Sequence, residues 1–164
     1  MRALAGLVVL ACSLALSGEA SATRQYDACF QRAGEHFGIS PLLLRAIARQ
    51  ESGFNPRARN TANFNDSEDR GLMQINSFWF PTLRRAGIDP ESLWDPCTSI
   101  TVGAWILAGE IRSHGMTWEA VGRYNARSPE KKRIYAAKIQ RNLQLEIREA
   151  QQAAAAPRIV RIGE

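Results

Sequence analysis

Glu51 is a carboxylate in an apolar setting. Leu43, Leu44, Ile47 and Ala48 precede it at helical spacing. With about 100° of rotation per residue, its side chain leaves the helix about 20° from Leu44 and about 40° from Ile47. It therefore shares the core-facing stripe. Ionising an acid away from water is costly, so such a site raises the pKa and holds the carboxyl protonated near neutral pH. A protonated carboxyl can donate to a leaving oxygen as a general acid. The same position also suits a structural acid that reaches solvent or pairs with Arg45, Arg49 or Arg70. Position alone leaves both readings open.

Two further clusters carry usable chemistry. Arg70-Gly71-Leu72-Met73-Gln74-Ile75-Asn76 joins a glycine that permits close backbone approach to a flexible thioether and two amides suited to sugar hydroxyls. Gly122-Arg123-Tyr124-Asn125 sets a phenol beside an amide at a helix end. Taken singly, each also describes an ordinary helix entry or exit. Asp66, Glu68 and Asp69 are the candidates for a second carboxylate, or else solvated loop residues and caps. Residues 63–69 lack the glycine and terminal Glu of a calcium-binding EF-hand. With His36 and His114 as the only histidines and no CxxC, neither a metal nor a cofactor is expected.

The elements that must position these residues read as helices throughout. Tyr26, Cys29, Phe30, Ala33 and Phe37 recur at helical spacing and stop at Gly38. Ser40-Pro41 opens a second helix, which runs to about Ser52. Residues 53–69 are loop-like, rich in Asn, Asp and Gly. Further helices are predicted over 77–86, from Asp95-Pro96 to His114, from Thr117 through Val121, and from Ser128-Pro129 to about Gln151. No strand longer than a few residues is expected. The fold class is all-α.

Both ends stand apart from this pattern. Arg2, an apolar run over 3–16 and the small-residue triplet Ala20-Ser21-Ala22 predict a signal peptide, residues 1–22, removed on export to the periplasm. The alternative is a lipoprotein anchored through Cys12. No stable membrane span is expected in the mature chain. Residues 152–164 read as a disordered tail. Export leaves Cys29 and Cys97 as an even pair, expected to form a disulfide, with two buried thiols as the alternative. Hydrophobic residues make up 45% of the 164, enough for one packed domain. The net charge of +5 suits a polyanionic partner, and export favours cell wall over nucleic acid.

Taken in order, Glu51-Ser52-Gly53-Phe54-Asn55-Pro56, then Gly71-Leu72-Met73-Gln74-Ile75-Asn76, then Ala120 to Tyr124-Asn125 resemble the soluble lytic transglycosylases, relatives of goose-type lysozyme. The resemblance spans residues 26–147. Ile75-Asn76-Ser77, Asp95-Pro96-Cys97-Thr98-Ser99-Ile100 and Thr117-Trp118-Glu119-Ala120-Val121-Gly122 are most similar to small exported members that accompany specialised secretion or conjugation machines. One departure is Ala126-Arg127 after Asn125, where relatives commonly carry Ala-Gly, in a short loop before the last helix.

The resemblance implies a single lysozyme-like domain over residues 23–151, with six to seven helices around a substrate groove. It implies cleavage of the β-1,4 bond between N-acetylmuramic acid and N-acetylglucosamine without water, leaving 1,6-anhydro ends. Glu51 would be the single catalytic group, acid and then base. Ser52 would steady Glu51 or contact the substrate acetamido group, and Gly71, Met73 and Gln74 would line the cleft. Tyr124 would hydrogen-bond near Glu51, with Asn125 supporting it or the substrate. Phe54, Trp79 and Trp118 are either groove aromatics or core. The implied partners are peptidoglycan strands and components of a secretion or conjugation machine. A hydrolytic muramidase with the same groove and a catalytically silent glycan-binding scaffold are the alternatives.

Overall fold

A computed structural model describes residues 26–63 and 66–155. Six α-helices organise them: α1 (Asp27–Phe37), α2 (Pro41–Ser52), α3 (Phe80–Arg85), α4 (Pro96–His114), α5 (Trp118–Arg123) and α6 (Pro129–Ala155). Local sequence explains most of the boundaries. Gly38 and Gly53 end α1 and α2 in left-handed conformation, at φ 68° and 59°. Asp95 and Thr117 cap α4 and α5 by accepting from the backbone N–H of Thr98 and Ala120. Ser40 makes no side-chain cap, so α2 begins on the fixed φ of Pro41.

α4 is the axis of the core. Ile100, Ala104 and Leu107 on it are fully buried, and the helix packs against α1, α2 and α5. α6 lies along both α2 and α5. Its seam with α2 is ionic as well as apolar. Glu146, 2% exposed, accepts from Arg45 at 2.8 Å and from Arg49 at 2.7 Å. A carboxylate so deep needs both partners to offset its lost hydration. Cys29 and Cys97 are bridged, tying α1 to the first turn of α4.

Three departures from the helical pattern occur. Residues 77–86 open as a 3-10 turn, Ser77–Trp79, before α3 begins, and a second such turn spans Pro90–Trp94. Within the stretch expected to be loop, β1 (Arg59–Asn60) and β2 (Asp69–Arg70) join β3 (Ile75–Asn76) in a three-stranded antiparallel sheet. Two-residue strands are too short to show alternation, so no periodic signal announced them. Residues 152–155, expected in the tail, continue α6 as helix. The expected signal peptide over residues 1–22, with Cys12, and residues 156–164 lie outside the described residues. Among the described residues no helix is long and apolar enough to cross a membrane.

Candidate active site

Glu51 sits in the last turn of α2, one residue before Ser52 and two before the left-handed Gly53. The arginines that could have made it a structural acid are engaged elsewhere. Arg45 binds Asp27 and Glu146, Arg49 binds Glu146 and Glu149, and Arg70 binds Glu68 and Glu91. Glu51 instead accepts a hydrogen bond from the Tyr135 hydroxyl at 2.5 Å. Burial pushes its pKa from 4.5 up to about 7, against the lowering effect of that hydrogen bond. The charge of Asp69 adds to the rise, and Lys138 opposes it. The carboxyl can therefore hold or release a proton close to neutral pH.

Glu51 opens into a groove of about 640 Å³. Its lining comes from separate parts of the chain. Asn63, Asp69, Gln74, Ile75 and Asn76 surround the small sheet, while Trp79 and Ile106 come from the helical body. Tyr124, Asn125, Ala126, Arg127, Ser128 and Lys131 come from the passage between α5 and α6. Of the expected cleft residues, Gln74, Tyr124 and Asn125 thus face the groove with Glu51.

Ser52, Gly71 and Met73 lie behind it instead. Ser52 Oγ donates to the Leu72 carbonyl at 2.7 Å, fastening the end of α2 to the turn that follows β2. Gly71 adopts φ 76°, and a Cβ there would lie 2.2 Å from the Leu93 carbonyl oxygen. Met73 is fully buried against Gly103, where an added Cβ would meet its Cε at 2.7 Å. These three build the wall. Gln74 then turns into the groove at φ 47°, a conformation unusual outside glycine, and its Nε2 donates to the carbonyls of Ala58 and Gly71. Trp79 lines the groove, whereas Phe54 packs on Phe30 beneath Arg45 and Trp118 lies on another face.

The two tyrosines divide the work. Tyr124 donates to the Met73 carbonyl at 2.9 Å, while Tyr135 makes the bond to Glu51. Their rings stack with centroids 6.5 Å apart. Burial raises both phenols well above their ordinary pKa, so each remains a donor. Tyr135 gave no sequence signal: with Ile139 four residues on, it reads as an ordinary core position of α6.

The sheet explains Asp69. Its register sets Asn60 opposite Asp69 and Asp69 opposite Asn76, so three polar side chains align across three strands. The Asp69 carboxylate accepts from the amides of Asn60 (2.9 Å), Asn63 (3.0 Å) and Asn76 (2.7 Å). Glu68 is drawn instead into ion pairs with Arg59 and Arg70, whose hydrogen bonds pull its pKa down, and Asp66 is exposed. Of the three acidic candidates in this stretch, Asp69 lines the groove.

Comparison with known proteins agrees with this geometry. A family model described as a transglycosylase SLT domain matches residues 28–145. Invasion protein IagB of Salmonella typhi is 47% identical over 119 residues, covering 70% of this chain and 74% of its own. Protein IpgF of Shigella flexneri is 47% identical over 107 residues, covering 64% and 70% respectively. A peptidoglycan-binding-like protein of Escherichia coli O157:H7 is 42% identical over 124 residues, covering 69% and 74%.

Proposed function

Because the chain belongs to the transglycosylase SLT domain family, we propose that Glu51 serves as both acid and base of its reaction on peptidoglycan. The protein is a lytic transglycosylase, an enzyme that cuts glycan strands without water. The observation that carries the assignment to Glu51 is its place in the groove with a pKa near 7 and, among the described residues, no arginine partner.

In the first step protonated Glu51 gives its proton to the glycosidic oxygen between N-acetylmuramic acid and N-acetylglucosamine. The C1–O bond breaks and positive charge develops at the anomeric carbon, which the substrate's 2-acetamido group helps to stabilise. Glu51, now a carboxylate, removes the proton from the muramic 6-hydroxyl, and O6 bonds to C1. The 1,6-anhydro end forms and Glu51 is protonated again, so no water is consumed. Tyr135 holds the carboxyl in place throughout, donating to it in both states. Asp69, held by its three amides, faces the groove where cationic charge develops and adds its charge to the field at Glu51. Asn125 offers its amide and Gln74 its amide oxygen to the sugar, and Ser52, Gly71 and Met73 keep the wall in register.

Asp69 also gives a specific reason to weigh hydrolysis, since two carboxylates on one groove are what a muramidase uses. Mass spectrometry of digested peptidoglycan separates the two. Anhydro-muramic products are expected from the wild type, with loss of about a thousandfold or more in Glu51→Gln. Reducing muramic ends would overturn the transglycosylase chemistry, and an unimpaired Glu51→Gln would overturn the catalytic role. The leader-like residues 1–22 and the likeness to machine-associated members support export and local wall opening around a secretion or conjugation apparatus.

A further inference from the structure

Resting on that peptidoglycan reading, we propose that Arg127 and Lys131 form a cationic lip that binds the carboxylates of the substrate's lactyl branch and thereby selects among strands. Both residues line the groove, in the passage from α5 into the first turn of α6. Arg127 donates to Glu110 at 2.7 Å, yet its side chain stays 65% exposed. Glu110 also receives Arg123 at 2.8 Å, and Glu119 lies 4.0 Å from Arg123 while holding Lys132, so two carboxylates serve Arg123, Arg127 and Lys132 and a positive charge is left over. Lys131 is exposed at the groove and makes no ion pair among the described residues. Its neighbour Lys132 is taken by Glu119, and Glu130 does not line the groove.

The groove is therefore polarised. Its acids, Glu51 and Asp69, are held by Tyr135 and by the asparagine amides, while its cations lie at the α5–α6 lip. The sugar backbone of the substrate is uncharged and offers only hydroxyl and acetamido groups. Its anionic groups hang from the lactyl ether of muramic acid: the carboxylates of the stem peptide, or the free lactyl carboxylate once the peptide is removed. Cations at the lip therefore have a partner on that branch and none on the backbone.

Three strands test the idea: stem-bearing glycan, amidase-stripped glycan with its free lactyl carboxylate, and stripped glycan methyl-esterified to neutrality. Anhydro-product release gives KM and kcat for each, and co-sedimentation in a Glu51→Gln background reads binding without chemistry. Wild type is expected to show a KM about three- to tenfold lower on a carboxylate-bearing strand than on the neutral one, shrinking in high salt. Arg127→Gly/Lys131→Ala should erase that gap with kcat retained, and Arg127→Gln/Lys131→Gln should do so with the side-chain bulk kept. Whichever charged strand is favoured locates the carboxylate. Equal KM on all three strands, or a gap that survives both double variants, overturns the lip. Reducing ends with the same KM pattern would overturn the transglycosylase chemistry and leave the lip supported.

Discussion

At Glu51, burial and the Asp69 charge act against the Tyr135 hydroxyl, and the balance leaves the carboxyl near pH 7. The proposed reaction starts from the protonated acid, so kcat/KM should fall as pH rises through about 7. Two substitutions should move that alkaline limb in opposite directions. Tyr135→Phe removes a hydrogen bond that stabilises the carboxylate, so the limb should shift to higher pH while the rate drops about tenfold from lost orientation. Asp69→Asn removes a charge that disfavours the carboxylate, so the limb should shift to lower pH. pH–rate profiles of the two variants check this, and a limb unmoved in both would assign the pH dependence to another group. Only half of this residue logic was legible beforehand. The core-facing direction of Glu51 follows from helical rotation, but its hydroxyl partner is 84 residues away.

At the scale of elements, the Glu51 end of α2 is held by the turn after β2 as well as by its own helix. Ser52 reaches Leu72, Tyr124 reaches Met73, and the N–H of Met73 donates to Ser99 on α4 at 3.0 Å. Gly71 is the point where this turn passes against the Leu93 carbonyl. Gly71→Ala should therefore cost about 2–4 kcal/mol in urea unfolding, from left-handed strain plus backbone displacement. Gly87→Ala is the matched control. It has the same φ of 76° with nothing within 4 Å of the added Cβ, and should cost about 1 kcal/mol. Equal losses at the two positions would remove the packing role of Gly71. The sequence pointed to Gly71 as a place of close approach, and the structure brings the Leu93 backbone there.

Across the whole molecule, long-range ties hold α1, α2, α4 and α6 around the groove. The Cys29–Cys97 bridge spans 68 residues and encloses α2, the sheet and the 71–76 turn. Closing a loop of that length restrains the unfolded chain, so reduction or Cys29→Ala/Cys97→Ala should lower stability by about 2–4 kcal/mol. Thermal unfolding with and without reductant checks it; an unchanged midpoint would show that the bridge adds nothing. The Glu146 clamp does the complementary job on α6. By pairing with Arg45 and Arg49 of α2, it fixes the helix that carries Tyr135 against the helix that carries Glu51.

The sequence by itself determined the helices, their caps at Asp95 and Thr117, the core-facing carboxylate and, through its ordered motifs, the family. Those features are local: a repeat of about 3.6 residues, or a hydrogen bond spanning three, leaves its mark within one turn. Tertiary structure decided which phenol meets Glu51, which acid joins it in the groove, and that Gly71 and Met73 support the wall instead of lining it. Each of those outcomes depends on how α6 lies on α2, or on the register of two-residue strands. Such contacts join residues remote in the chain, and no local pattern encodes them.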